Sequence, residues 1–339
     1  MMSDKSSKRN ESSGTPVGRQ KIVLCVDEAV PSTLDSAVSL LNAFSSCHIM
    51  ALIRLDRPRC DDGLFAFIDS LRADRKPSPR VDLFGTISEI EETTLEQLFD
   101  RRLLFRWPVV FSPAGPPSIE NLPVLRRVVE YGIPVIFHVY FDDRLDGHAQ
   151  EVTPFIETLM KVNLSSGFSL YPYSFRNDAR GAADPSVRGW LEMLSTVYKR
   201  FSCYDVNFDP LQEIVDLSAY GGIIPALGIP RYMGVRVPPD GSARLFRQNP
   251  AESIPWLGRD RLAALSPDDL WNEFICAVKR GYLAGDRLLS TCPYREQCGG
   301  TDLACSSGGE ELTDPLQCQT RRLFLELFTA QKRRLGEKS

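Results

Sequence analysis

The sequence has no apolar run approaching the roughly 20 residues that a membrane-spanning helix needs. It also has no surplus of positive charge. Lys and Arg number 40 against 44 Asp and Glu, a net charge of −4, so general attraction to nucleic acid is excluded and no nucleic-acid partner is expected. Residues 1–20 lack the apolar centre of a secretory signal. Rich in Ser, Lys, Arg and Gly, they read as a disordered tail. A cytoplasmic, reducing setting is therefore expected, in which structural disulfides are disfavoured. No phosphate-cradling glycine loop, nucleophile elbow or dinucleotide fingerprint follows a strand-like run. Among the nine cysteines no Cys-x2-Cys pair occurs. Successive cysteines stand 22, 13, 143, 73, 16, 6, 7 and 13 positions apart.

What is present is ordinary in bulk and unusual in one place. A content of 43% hydrophobic and 25% charged residues suits a soluble globular protein, and 339 residues leave room for two domains or one barrel with an appendage. From residue 21, β-rich runs recur at Lys21–Asp27, His48–Arg54, Val81–Gly85, Pro108–Ser112, Ile133–Phe141, Gly167–Pro172 and Cys203–Phe208. Segments of helical spacing lie between them, with Leu34, Val38, Leu41 and Phe44 on one face, then Leu122, Leu125, Val128 and Val129. Strand and helix alternating about every 30 residues predict a parallel α/β fold. The strands read as continuous apolar runs covered on both faces. A partial or complete parallel β/α barrel over 21–225 is the expectation, with an open doubly wound sheet as runner-up.

After about residue 225 the rhythm breaks into Gly- and Pro-punctuated chain. Met233–Val237 and Ser242–Phe246, joined by Pro-Pro-Asp-Gly, predict a hairpin with a tight turn. Ser266-Pro267-Asp268-Asp269 predicts a helix start, with Leu270, Phe274 and Val278 on its buried face. Then comes the unusual place: Cys292, Cys298, Cys305 and Cys318 fall within 27 residues, interleaved with glycine. A second unit over 226–330, Cys-rich with a C-terminal helix from Asp314-Pro315, precedes a tail at 331–339.

These features resemble the radical SAM enzymes that carry a C-terminal SPASM domain, over roughly residues 105 to 325. The hairpin at Asp240-Gly241, the helix from Ser266 to about Tyr282, Cys292-x5-Cys298-Gly-Gly and Cys318 follow the SPASM pattern. Val109–Gly132 resembles the family's strand–loop–helix that presents a Gly-Gly-Glu-Pro turn to SAM. Four departures stand beside these matches. No cysteines have the Cys-x3-Cys-x2-Cys spacing that leaves one iron of a cluster open for SAM. The turn is Ala114-Gly115-Pro116-Pro117, without a carboxylate. The Gly-x4-Cys position counted from Gly241 holds Phe246. Leu289 and Asp302 stand at two further cluster positions. The resemblance thus implies a degenerate member that does not use SAM.

The four clustered cysteines have 5, 6 and 12 residues between them. Paired zinc chelation favours closer spacing, whereas long glycine-flanked gaps suit a bulkier cubane. One [4Fe–4S] cluster on Cys292, Cys298, Cys305 and Cys318 is the first expectation, with zinc and a metal-free relic as alternatives. Cys276 is a substitute ligand or a core residue, and Cys25, inside an apolar run, reads as packing. His138, Asp142, Asp143, Asp146 and His148 stand at a strand's C-terminal end, where a divalent metal would suit a barrel enzyme and a solvated loop would look the same. The solvated loop is preferred. Three functions follow. The first is a radical SAM/SPASM-like protein without SAM chemistry, a cluster-bearing or structural partner to an intact radical SAM enzyme or a precursor peptide in peptide or protein maturation. The second is a metal-dependent hydrolase or transferase on the barrel; the third is a zinc-stabilised interaction protein. No membrane partner is expected.

Overall fold

The computed structural model describes residues 21–55, 62–73, 78–87, 89–116, 123–162, 167–173, 183–201, 208–209, 232–246 and 253–289, with residues 322 and 326. Seven strands follow one another across the sheet in chain order: β1 (Lys21–Val26), β2 (His48–Arg54), β3 (Arg80–Phe84), β4 (Leu104–Val110), β5 (Val135–Phe141), β6 (Phe168–Pro172) and β7 (Phe208–Asp209). All neighbouring pairs among them are parallel. Between them lie α1 (Pro31–Ala43), α2 (Asp62–Arg72), α3 (Glu92–Asp100), α4 (Pro123–Glu130), α5 (Val152–Val162) and α6 (Val187–Phe201).

The order decides between the two architectures raised by the sequence. A doubly wound sheet reverses direction at a switch point. Here every step from β1 to β7 goes the same way, so right-handed crossovers lay all their helices on one face. That is the winding of a β/α barrel, open among the described residues, with β7 at one edge.

The other edge is built from later chain. β8 (Tyr232–Val237) returns to pair in parallel with β1, and β9 (Ala243–Phe246) and β10 (Ile254–Leu257) extend it as an antiparallel meander. Among the described residues the sheet therefore has ten strands and runs across residue 225, where the composition changes. α7 (Arg259–Ala264) and α8 (Pro267–Leu289) follow.

The hairpin forms where Asp-Gly predicted it. Gly241 has φ +74°, its N–H reaches the Pro238 carbonyl at 2.9 Å, and Asp240 accepts from Ser242 N–H at 2.8 Å. Ser32 and Ser36 of α1 donate to the Pro239 and Gly241 carbonyls, at 2.8 and 2.6 Å, so the turn sits on the first helix. α8 starts as predicted, with the Ser266 hydroxyl accepting from Asp269 N–H at 3.2 Å and Pro267 at the first helical position.

Two expectations need correction. On α1 the buried stripe is Thr33, Ser36, Ala37, Leu40, Leu41 and Phe44, while Leu34 and Val38 are only partly buried. The hairpin claims the small polar side of the helix, which hydrophobicity alone does not reveal. The strands, too, are not apolar on both faces. Ile22, Leu24 and Val26, or Phe105, Trp107 and Val109, enter the core beneath the helices. Alternate positions on β3, β4 and β5 are polar instead: Asp82, Arg106 and His138 are buried on the opposite face.

Candidate functional site on the inner face of the sheet

The face opposite helices α1–α6 gathers polar side chains from six strands. On β3 and β4, Asp82 is fully buried and accepts from Arg106 Nε at 2.8 Å through Oδ2, and from Arg80 Nε at 2.9 Å through Oδ1. Arg106 spends its remaining nitrogens on His138 of β5, where Nη1 lies 3.1 Å from Nε2, and on the Met50 sulfur of β2 at 3.4 Å. A guanidinium only donates, so His138 Nε2 must accept and the ring proton sits on Nδ1. Burial, followed by the adjacent Arg106 charge, pushes the His138 pKa well below its ordinary value, and the imidazole is neutral. Tyr171 of β6 lies 5.2 Å from the ring and Phe84 of β3 at 5.3 Å, with Tyr140 stacked on Tyr171 at 5.8 Å.

A second group closes the C-terminal ends of β8, β1 and β2. Asp27 lies just beyond β1, and its Oδ2 takes two contacts from Arg236, 2.8 Å from Nε and 2.7 Å from Nη2. Its Oδ1 takes a longer one, 3.4 Å, from Arg54 Nη1. The strand register sets Arg54 beside Phe84, and Phe84 beside Arg106, so the two groups are neighbours on one surface.

Pro108 explains how Arg106 comes to stand there. In β4 the odd-numbered positions donate toward β5, as Phe105 and Phe111 do. Residue 108 would therefore donate toward β3, whose ladder with β4 ends at the Phe84–Arg106 pair. The missing N–H costs no bond, and β4 begins four residues earlier than the proline suggested. Arg106, Asp82, Arg54, Arg236 and Asp27 were all passed over in the sequence. Their one signal is a single charge at alternate positions in otherwise apolar strands.

The residues singled out for a divalent metal go separate ways. His138 faces Arg106 inside the sheet. Asp142 is bound by Arg144 through 2.7–3.0 Å contacts; burial pushes its carboxyl up, but the Arg144 hydrogen bonds and charge hold it below the usual range. Asp143 opens a 3-10 turn. Asp146 accepts from the Ser186 N–H and hydroxyl at the start of α6, and Gly189 leaves the room its carboxylate needs. His148 is half exposed beside Glu151 at 3.6 Å. Among the described residues no three His, Cys, Asp or Glu side chains gather as a metal site.

Cys292, Cys298, Cys305 and Cys318 lie outside the described residues. Cys276 is exposed on α8, not in the core. Cys25 is fully buried in β1, and Cys47 is buried with its thiol pushed up to about 11 by burial. No described connection carries two cysteines. Phe246, at a position where the SPASM pattern has a cysteine, is buried and pairs across the hairpin with Gly234, where an added Cβ would run into the Phe246 ring. The described residues therefore do not fit a cluster of three thiolates on one loop.

No protein-family pattern and no curated protein matches the sequence. Solved structures do. Native anSMEcpe with bound AdoMet, a radical SAM/SPASM anaerobic sulfatase-maturating enzyme, matches with TM-score 0.59 and 12% identity over 93% of this chain and 99% of that one. The same enzyme with AdoMet and the Cp18Cys peptide matches with TM-score 0.57 and 11% identity over 93% and 98%. Its histidine-tagged form with AdoMet matches with TM-score 0.55 and 11% identity over 90% and 96%. The likeness is one of fold: this chain has a radical SAM-like fold.

Proposed function

We propose that the chain serves peptide or protein modification on a radical SAM-like fold without SAM chemistry of its own, as a partner to an intact radical SAM enzyme, its substrate peptide, or both. One observation carries the reading: Cys25 and Cys47 are buried in packing, and Phe246 fills the place of a ligand cysteine against Gly234. The nine-cysteine spacing supports it, since no three cysteines stand in the Cys-x3-Cys-x2-Cys spacing that leaves one iron open for SAM. A neighbour of the same fold that holds a peptide supports the substrate class. Cys292, Cys298, Cys318 and Cys305 are proposed to hold one [4Fe–4S] cluster of structural role.

Reconstituted anaerobically with iron, sulfide, reductant and SAM, the protein should release no 5′-deoxyadenosine above blank. Clear production that depends on the protein would overturn the reading. Purified without oxygen, it should contain about four irons and four sulfides per chain. Cys298→Ala should lose most of the iron and Cys25→Ala none. A colourless protein with one zinc would favour the interaction-module reading instead.

A further inference from the structure

Among the described residues two large apolar side chains stand exposed, Phe99 at 52% and Val187 at 36%. Phe99 has an aromatic companion: its ring meets Tyr131 edge-on, with centroids 5.9 Å apart and planes at 79°. Phe99 lies in the last turn of α3, and Tyr131 directly follows α4. The pair therefore marks the corner where these two helices turn back into β4 and β5. That corner belongs to the helical layer, at the opposite end of the strands from Asp27, Arg54 and Arg236.

Carboxylates frame the two rings. Glu92, Glu96 and Asp100 follow one another at four-residue steps along α3, on the side that carries Phe99. They reach the second ring as well: partial desolvation, then the charges of Glu96, Glu92 and Asp100, raise the pKa of the Tyr131 phenol. Three of the nearby cations are already committed. Arg127 binds Glu92 at 3.2 Å and the Ile90 carbonyl at 2.6 Å, Arg126 binds Glu130 at 2.7 Å, and Arg101 binds Asp69 at 2.8 and 3.0 Å. The exposed side chains of Glu96 and Asp100 have no hydrogen-bond or ion-pair partner among the described residues. Arg102, likewise unpaired, offsets only one of them.

The adjoining corner shows what such a frame holds. There the Arg101 guanidinium lies 4.8 Å over the Phe65 ring, while its Nε and Nη2 both donate to Asp69, one turn further along α2. A ring face beside a carboxylate suits a planar guanidinium, which stacks and donates in its own plane at once. At the α3–α4 corner the rings and carboxylates are present without an arginine. Tyr131 stands directly after α4 as Arg101 stands directly after α3.

We propose that Phe99 and Tyr131, with the free carboxylates of Glu96 and Asp100, form a docking corner for an arginine side chain presented by a segment of another protein. The carboxylates select a cation, and the exposed rings favour one that is flat and weakly hydrated. The inference goes beyond the maturation role, since neither the cysteines nor the inner face of the sheet enters it.

The full chain with 4-fluorophenylalanine in place of Phe99 reports on the corner directly by fluorine NMR. It is titrated with a capped Ala-Ala-Arg-Ala-Ala peptide and with the same peptide carrying lysine or citrulline in place of arginine. The arginine peptide should shift the resonance saturably, with half-saturation at about 1–10 mM. The citrulline peptide, which keeps the shape and loses the charge, should bind at least about fivefold more weakly, with lysine between. Glu96→Gln combined with Asp100→Asn should weaken the arginine peptide by at least about fivefold, and Arg102→Gln should not weaken it. The comparison of arginine with citrulline stands even if the double variant fails to fold. Equal binding of those two peptides, lysine as tight as arginine, indifference to the double change, or no shift at about 20 mM would each overturn the proposal. A resonance that moves with protein concentration alone would assign the corner to a second copy of this chain instead.

Discussion

At the scale of single residues, the inner-face network sets the strongest constraints. Asp82 is the buried anion that compensates Arg106, so Asp82→Ala strands a guanidinium in the sheet and should cost about 3–5 kcal/mol by denaturant unfolding. Replacing the pair together, Asp82→Leu with Arg106→Met, should cost less than Asp82→Ala alone. His138 gives a pH signature of definite sign. Its folded pKa is depressed, so below about pH 6.5 the unfolded chain takes up a proton that the folded chain refuses. Stability should therefore fall as pH drops below about 6.5, by up to about 1.4 kcal/mol per pH unit. In His138→Phe that part of the slope should vanish, and thermal midpoints between about pH 7.5 and about pH 5 would show it. Equal slopes in both proteins would refute the buried neutral imidazole. His138 was visible in the sequence as a candidate, but its partner lies 32 residues away on another strand, and no local pattern joins them.

Among the elements, the hairpin and the caps were the most legible and the charged strand faces the least. Asp-Gly and Ser-Pro-Asp-Asp specify backbone geometry through their own side chains, and both features stand where they were read. A strand face is specified by what packs on it, and one Asp or Arg in an apolar run does not announce a second polar surface. The hairpin also seats tightly on α1. A Cβ on Gly241 would lie 2.8 Å from the Ser32 carbonyl, and φ there is +74°. Gly241→Ala should destabilise by about 1–3 kcal/mol, against about 1 kcal/mol for Ser266→Ala at the start of α8. Chemical denaturation of the two variants side by side measures the ranking, and the reverse order would mean that the turn is free of α1.

For the molecule as a whole, the alternation of strand and helix revealed the winding but not the edge. No sequence period announces that β8 will return to β1, because strand pairing at long range leaves no local trace. On the expectation that residues 1–20, which lie outside the described residues, form a tail, their removal should leave the thermal midpoint essentially unchanged.

The pairing of β1 with β8 also has a consequence for biosynthesis. β1 emerges first, yet the strand that covers its outer side follows more than two hundred residues later. At ribosomal speeds of about 5–20 residues per second, an apolar ribbon stays uncovered on the nascent chain for about 10–40 s. During that interval it is open to pairing with other chains. A ribosome-bound fragment halted at residue 225 should accordingly recruit chaperones or clump, and one extended past residue 257 should not. Crosslinking of stalled nascent chains would reveal the switch. No switch on passing residue 257 would mean that the exposed side of β1 is protected by other means.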